Sequence, residues 1–487
     1  MSSSSSSPTL AERVLVTSHP SIAQRVNHLY IRPGFLPGMG ESDPPPPSLR
    51  QDNRGILSLL RSRFRLLCSY PSRSVQTNKR IVILAQAAIR RCRNVRELTI
   101  VLHDFFIPRS FALFLESSWA CLAGNIRKLT ISVTLTKLSL LLGQGESYGL
   151  AVLEELEIYI VYSRFPFYNG QTLVKDRLLP FTISHRETLR ALTISSSIPL
   201  DWSPYLDGLG HFPLLQKLVL ILTISYVTLS NPSALTRVLD THQENLRHFK
   251  VIKNHGYSLN NPRDSLYGAW VTDEFSTLIL PVLQTLEIGL WPDLPWRSPP
   301  SLSIIPQASC LVSLTIFDVV LCDTQVDRVL DSLQLGPDGG LQELRLSVVY
   351  LHPQLMDLLA AKLPLLKVLD LTFDRLAPNT DIQSAYYNKY AYVSFTFVSY
   401  VPCQTILFVQ TLFEREMNTR MYTDWELQYL KLSLASSNCG KGHSQLGCMS
   451  IVARCIPRGV VFGLENDCFC NYPRVLGPDD SSFGISW

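Results

Sequence analysis

An apolar-x-x-apolar-x-apolar triplet recurs along the chain about every thirty residues, and that interval limits the fold more than any other property. It reads Val95-Leu98-Ile100, Ile126-Leu129-Ile131, Leu153-Leu156-Ile158, Leu189-Leu192-Ile194 and Leu215-Leu218-Leu220. It continues as Leu246-Phe249-Val251, Leu283-Leu286-Ile288, Leu311-Leu314-Ile316, Leu341-Leu344-Leu346 and Leu366-Leu369-Leu371. Successive first anchors lie 31, 27, 36, 26, 31, 37, 28, 30 and 25 residues apart. Val26-Leu29-Ile31 and Leu427-Leu430-Leu432 flank the run at 69 and 61 residues, each about two intervals away. Roughly twenty such triplets would arise by chance in a chain this apolar, so the spacing carries the inference.

The second and third anchors are two residues apart, as on one face of a strand, while the residue between them points the other way. Between triplets the apolar spacing turns helical. Lys79–Cys92, Ala234–Asn245, Thr324–Leu335 and Pro353–Leu363 are predicted helices, the third opened by a capping threonine and the last by proline in a favoured first position. A strand, a helix and another strand in short succession imply right-handed crossovers and a parallel sheet. Each such unit packs only on its neighbours, so 487 residues need not divide into compact domains. The expected class is therefore α/β, an irregular horseshoe-shaped solenoid with parallel strands on its concave face and helices on its convex face.

Local likeness between units strengthens the case: Asn94-Val-Arg-Glu-Leu-Thr-Ile100 is nearly repeated in Asn125-Ile-Arg-Lys-Leu-Thr-Ile131. With Leu178-Leu-Pro-Phe-Thr-Ile-Ser-His-Arg-Glu-Thr-Leu-Arg190 and Gly208-Leu-Gly-His-Phe-Pro213, the chain resembles leucine-rich-repeat proteins of the F-box-associated type. It looks most like uncharacterised repeat proteins of mushroom-type fungi. The likeness spans roughly residues 21–433. It implies a protein-binding repeat array and, more remotely, a ubiquitin-ligase adaptor as partner. Only 25 residues precede Val26, fewer than an F-box of about fifty needs, and the usual Asn-containing turn after the strand is missing.

Three stretches depart from the repeat. Residues 1–20 open with a serine run that has no apolar core, unlike a signal peptide. Residues 32–78 hold Pro33, Pro37 and Pro44 to Pro47 and read as an extended insertion. Residues 373–424 form a degenerate unit with one alternating, strand-like run at Tyr392–Val401, and 434–487 read as an irregular Cys-containing tail.

Composition excludes several functions. No apolar run reaches the length of a membrane helix. A net charge of +4 and a pI of about 8.4 fall short of a nucleic-acid-binding profile. The densest basic stretch, Arg61 to Arg96, reads mainly as a solvated face. Eleven cysteines spread over a long chain suit a reduced, intracellular protein better than a disulfide framework.

Cys439, Cys448, Cys455, Cys468 and Cys470, with His443, supply zinc-type ligand chemistry, but only Cys468-x-Cys470 is a close pair. A metal or catalytic role for that tail is the alternative function, and a drifted chain without preserved activity is a third. Gly143-Gln-Gly145, Gly208-Leu-Gly210 and Gly440-Lys441 read as turns rather than phosphate cradles. No hydrolase elbow, metalloprotease motif or paired carboxylates emerge, so neither catalysis nor a cofactor is expected.

The leading expectation is a non-enzymatic scaffold that holds a protein partner on outward strand positions. Glu157, Tyr159, Lys250, Glu287, Phe317, Arg345 and Asp370 are the candidate contact residues.

Overall fold

The computed structural model describes residues 23–32, 82–102, 109–142, 149–162, 170–223, 228–231, 233–253, 278–289, 308–333, 340–377, 411–434, 443–456 and 460–462. They fall into two units, Met1–Leu215 and Gln216–Trp487. The expected Ser-rich segment, the Pro-rich insertion beyond Arg32 and the strand-like run at Tyr392–Val401 lie outside the described residues.

The first unit carries β1 (His28–Ile31), β2 (Glu97–Leu102), β3 (Lys128–Thr134), β4 (Glu155–Val161) and β5 (Ala191–Ser196). Each is parallel to the next, and the triplets fall in register: Leu29, Leu98, Leu129, Leu156 and Leu192 pair in sequence, as do Ile31, Ile100, Ile131, Ile158 and Ile194. All ten side chains are buried or nearly so except Leu29. The first anchors, Val95, Ile126, Leu153 and Leu189, are fully buried in the turns before the strands.

Each turn hands one carbonyl to the next unit. Arg96 O accepts from Arg127 N and Lys128 N at 2.8 and 3.0 Å, Arg127 O from Glu154 N and Glu155 N, and Glu154 O from Arg190 N and Ala191 N. The near-repeat beginning at Asn94 and Asn125 has a related cause. The Asn94 amide donates to Gln24 O and the Asn125 amide to Arg93 O, so each stitches its turn to the preceding unit. The repeat thus does carry a structural asparagine, before its strand rather than after it.

Helices alternate with these strands: α1 (82–89), α2 (Arg109–Leu122), α3 (Leu135–Leu142), α4 (170–183) and α5 (Ser203–Leu209). Helix α4 contains a π-helical turn at Val174–Leu178 just before Pro180, which has no N–H to continue the α ladder. Helices α4 and α5 touch where Gly208 leaves room for Leu179. A Cβ there would stand 2.4 Å from Leu179 Cδ2. Gly208→Ala is expected to displace that methyl and destabilise the protein by about 1 kcal/mol, readable in urea unfolding; an unchanged midpoint would mean the leucine swings aside freely. Gly210, at φ 65, ends α5, in keeping with a turn.

The second unit carries β6 (Lys217–Leu222), β7 (His248–Lys253), β8 (Thr285–Gly289), β9 (Ser313–Leu321), β10 (Glu343–Leu351), β11 (Val368–Leu376), β12 (Tyr429–Leu434) and β13 (Val461–Phe462). These also pair in sequence order, all parallel. Their helices are α6 (Ser233–Thr241), α7 (Asp323–Ser332), α8 (Pro353–Lys362), α9 (411–417) and α10 (His443–Arg454). Buried residues three and four apart, such as Val326, Val329 and Leu330 on α7 and Leu355, Met356 and Leu359 on α8, give each a core-facing stripe.

Helix α7 starts one residue earlier than its expected threonine start. Cys322 is the N-cap, and its N–H donates to Gln325 Oε1 at 2.8 Å. Helix α8 begins at the expected proline, with His352 Nδ1 accepting from Leu355 N. The described part of the tail is not irregular: α10 and the two-residue β13, paired with β12, continue the strand-and-helix alternation past residue 434. The supposed degenerate unit also contributes regular structure at both ends, in β11 and α9.

Candidate functional site

Strand alternation sends away from the core the residue between the second and third anchors, the residue just before the second and, as at Tyr159, the residue just after the third. In the first unit the inner column runs Thr99, Thr130, Glu157, Thr193. Thr130 Oγ1 donates to Glu157 Oε2 at 3.0 Å, while Lys128 Nζ lies 2.7 Å from Glu157 Oε1 and 3.4 Å from Glu155 Oε2. Partial burial opposes the Lys128 charge, but Glu157 and Glu155 outweigh it and raise the ammonium above its usual range. Burial, reinforced by Glu157, pushes the Tyr159 phenol up, so it stays protonated at neutral pH. The expected contacts Glu157 and Tyr159 therefore sit together, in a cluster already bonded to itself.

In the second unit the inner column runs Lys250, Glu287, Thr315, Arg345, Asp370, Lys431. The column beside it runs Lys217, His248, Thr285, Ser313, Glu343. Small hydroxyl residues occupy the middle of this lattice (Thr285, Ser313, Thr315), with longer side chains on either side. The result is a depression of about 350 Å³ lined by His248, Thr285, Glu287, Val312, Ser313, Thr315, Glu343 and Arg345.

Lys250 Nζ donates to Glu287 Oε2 at 2.7 Å and sits 5.3 Å from the Phe317 ring centroid. Phe317 lies where β9 spends five residues, Thr315 to Val320, against two on β10, Arg345 to Ser347. Such a bulge re-aims side chains. His248 Nε2 lies 3.5 Å from Glu287 Oε1. Burial, with help from Lys217 and Lys250, lowers its pKa against the pull of Glu287, which leaves a neutral imidazole at pH 7. Ser313 Oγ donates to Glu343 Oε2 at 3.1 Å.

Glu287 and Arg345 thus line one concavity, with Lys250 and Phe317 beside it. Asp370 departs from expectation. It is only 5 % exposed, as is Lys431 beside it, so it is withdrawn from solvent rather than offered to a partner. Its Oδ2 is 3.9 Å from Lys431 Nζ and its Oδ1 has no hydrogen-bond partner. Desolvation raises its pKa to about 6, against the opposing pull of Lys431 and Arg345. Alternation gives a residue's face, but not whether that face is covered. Lys217, His248, Thr285, Ser313 and Glu343 were missed because the column just before the second anchor was not followed; period-two alternation contained it.

No protein-family model matches the sequence, and no curated protein is similar to it. Among solved structures, one from Bacteroides fragilis, a structural-genomics target, matches at 13% identity over 61% of this chain, with a TM-score of 0.27. The match spans 63% of that protein, short of two thirds of its length. A superposition this loose carries no argument, so function rests on the side chains.

Among the tail cysteines singled out in the sequence, the side chain of Cys455 is described. Cys455 is buried, its thiol donating to Met417 O at 3.2 Å, and desolvation raises its pKa, so it is held as a neutral thiol. Cys439, Cys468 and Cys470 lie outside the described residues, as do Gly143, Gly145 and Gly440. Among the described residues no group of three His, Cys, Asp or Glu side chains is placed to hold a metal ion, and no helix is long and apolar enough to cross a membrane. His185 packs edge-on against Phe181, and burial lowers its pKa to about 4.

Proposed function

We propose that this protein is a non-enzymatic interaction scaffold of the leucine-rich-repeat kind, which holds a protein partner on the outward face of its strands. The observation that carries the reading is the depression between β7 and β10. Charged, hydroxyl and imidazole groups there, with the Phe317 ring beside them, stand on a strand lattice rather than on loops. A mixed polar surface with an aromatic and an arginine suits protein contact. No nucleophile, general base and oriented third group come together in it, which favours binding over catalysis. Nucleic acid is a poorer fit, because carboxylates are interspersed with the cations: Glu287 and Asp370 in the inner column and Glu343 in the one beside it. The family resemblance adds a ubiquitin-ligase adaptor as one partner to look for.

The test is affinity capture from native cells with two baits: the parent chain, and a face variant with Glu157, Tyr159, Lys250 and Arg345 all replaced by alanine. One reproducible partner at least tenfold depleted with the variant is the expected result, provided the variant melts as the parent does. Co-purification of an adaptor and cullin would place the chain in a ubiquitin ligase. Equal recovery of every protein by both baits would sink the proposal.

A further inference from the structure

The hydrogen-bonding state of the second unit's outward groups sets what the depression is able to recognise. Its carboxylates are committed: Glu287 to Lys250 at 2.7 Å with His248 alongside at 3.5 Å, and Glu343 to the Ser313 hydroxyl at 3.1 Å. Two cations are not. Arg345, on the rim, and Lys217, at the far end of the same lattice, are exposed and make no hydrogen bond or close ion pair among the described residues, Arg345 feeling only the longer-range pull of buried Asp370 on β11. With His248 neutral, Lys217, Lys250 and Arg345 outweigh Glu287 and Glu343 by one positive charge. Between the free cations lie His248 and the Lys250–Glu287 pair, already bonded to one another, and then the short hydroxyl side chains of Thr285, Ser313 and Thr315, which leave room for a chain to cross the strands and offer it hydrogen bonds.

The separation is fixed by the sheet. Lys217 is on β6 and Arg345 on β10, four parallel pairings apart. At about 4.8 Å per pairing they stand about 19 Å apart, the reach of about six residues of extended chain. A guanidinium presents two parallel donors that match one carboxylate in a fork, whereas an ammonium takes a carboxylate as a point charge.

We propose that β6 to β10 recognise an extended acidic segment of a partner protein, one carboxylate held by Arg345 and another about six residues away by Lys217. The proposal rests on the strand-face reading above and makes it specific: the partner's recognition element is unfolded and acidic, its charges are spaced rather than clustered, and it lies across the strands instead of adding one to the sheet.

The experiment uses the full chain and fluorescent glycine-serine peptides read by anisotropy at low salt. One peptide carries two glutamates about six positions apart. A second replaces both with glutamine, and a third places the glutamates side by side. The spaced peptide is expected to bind saturably, and the glutamine peptide at least tenfold more weakly. Arg345→Gln weakens both glutamate peptides at least tenfold, while Arg345→Lys falls between because it keeps the charge and loses the fork. Lys217→Gln weakens the spaced peptide alone. Both side chains are exposed, and matching thermal melts confirm that the variants fold.

Equal binding of glutamate and glutamine peptides, absence of saturable binding, or indifference to Arg345→Gln would each overturn the proposal. Failure of the scaffold reading is distinguishable. If the peptides behave as expected while the captured cellular partner ignores the face variant, the acidic site stands without that partner. If the partner needs the face but the peptides show no carboxylate preference, the scaffold reading stands and this specificity is wrong.

Discussion

Phe249→Ala should lower the unfolding free energy by about 3–5 kcal/mol, whereas Lys250→Ala, one residue along, should cost about 1 kcal/mol or less. Phe249 is fully buried in β7, paired in register with Leu218 and Leu286. It stands where most units place leucine, so truncation opens a larger void than elsewhere in the ladder. The two strands flanking it share that void, and in a stack of units the loss of one interface is felt by its neighbours. Lys250 faces the other way, its side chain about a quarter exposed, and loses only its pairing with Glu287 and the Phe317 ring. Urea unfolding of both variants beside the parent provides the test. Comparable losses would mean that the two faces of β7 are equally covered and that the outward lattice is itself a core.

The second large effect is a pH dependence. Burial lifts the folded-state pKa of Asp370 from 3.8 to about 6. The native state therefore holds this proton more tightly than the unfolded chain does, so the stabilising contribution is complete below about pH 4 and is lost as pH rises towards 6 and beyond. A shift of about two units corresponds to about 3 kcal/mol. Relative to an Asp370→Asn variant, the parent should lose about that much stability between pH 4 and pH 7. Lys431 stays buried beside the new amide, so the comparison rests on how the difference between the two proteins changes with pH and not on its absolute size. Parallel denaturation curves at several pH values decide the matter. A difference independent of pH would mean that water or rearrangement solvates the carboxylate in solution.

Fold and site differ in how much the sequence reveals of them. The Leu98–Leu129–Leu156 and Ile100–Ile131–Ile158 ladders follow from anchor spacing alone, because a pleated strand with one buried face permits one register. Helices α7 and α8 were visible for a similar reason, through apolar spacing and a start signal. Helix α4 was not, since its π turn breaks the 3.6-residue pattern at Pro180. Strand β13, two residues long, offers too little alternation to stand out. The site was half legible: Lys250, Glu287 and Arg345 follow from alternation, whereas the dip at Thr285, Ser313 and Thr315 depends on side-chain sizes on two strands, β8 and β9, and on the longer side chains of the strands flanking them. The burial of Asp370 depends on what lies over it, which periodicity does not encode.

Within each unit every strand pairs with the strands immediately before and after it in sequence, and one turn carbonyl in each of several repeats receives two N–H groups from the next. Such a chain can lengthen by inheritance without being redesigned. Tandem duplication of one strand-and-helix segment, cut between equivalent turns, would present the same carbonyl to the same pair of amides and keep both ladders unbroken. Intervals ranging from 25 to 37 residues suggest where variation has been absorbed: in the connections, while the triplets keep their beat. A lineage of such proteins would change reach by gaining or losing whole segments, and change what it grips by substituting the outward positions of each.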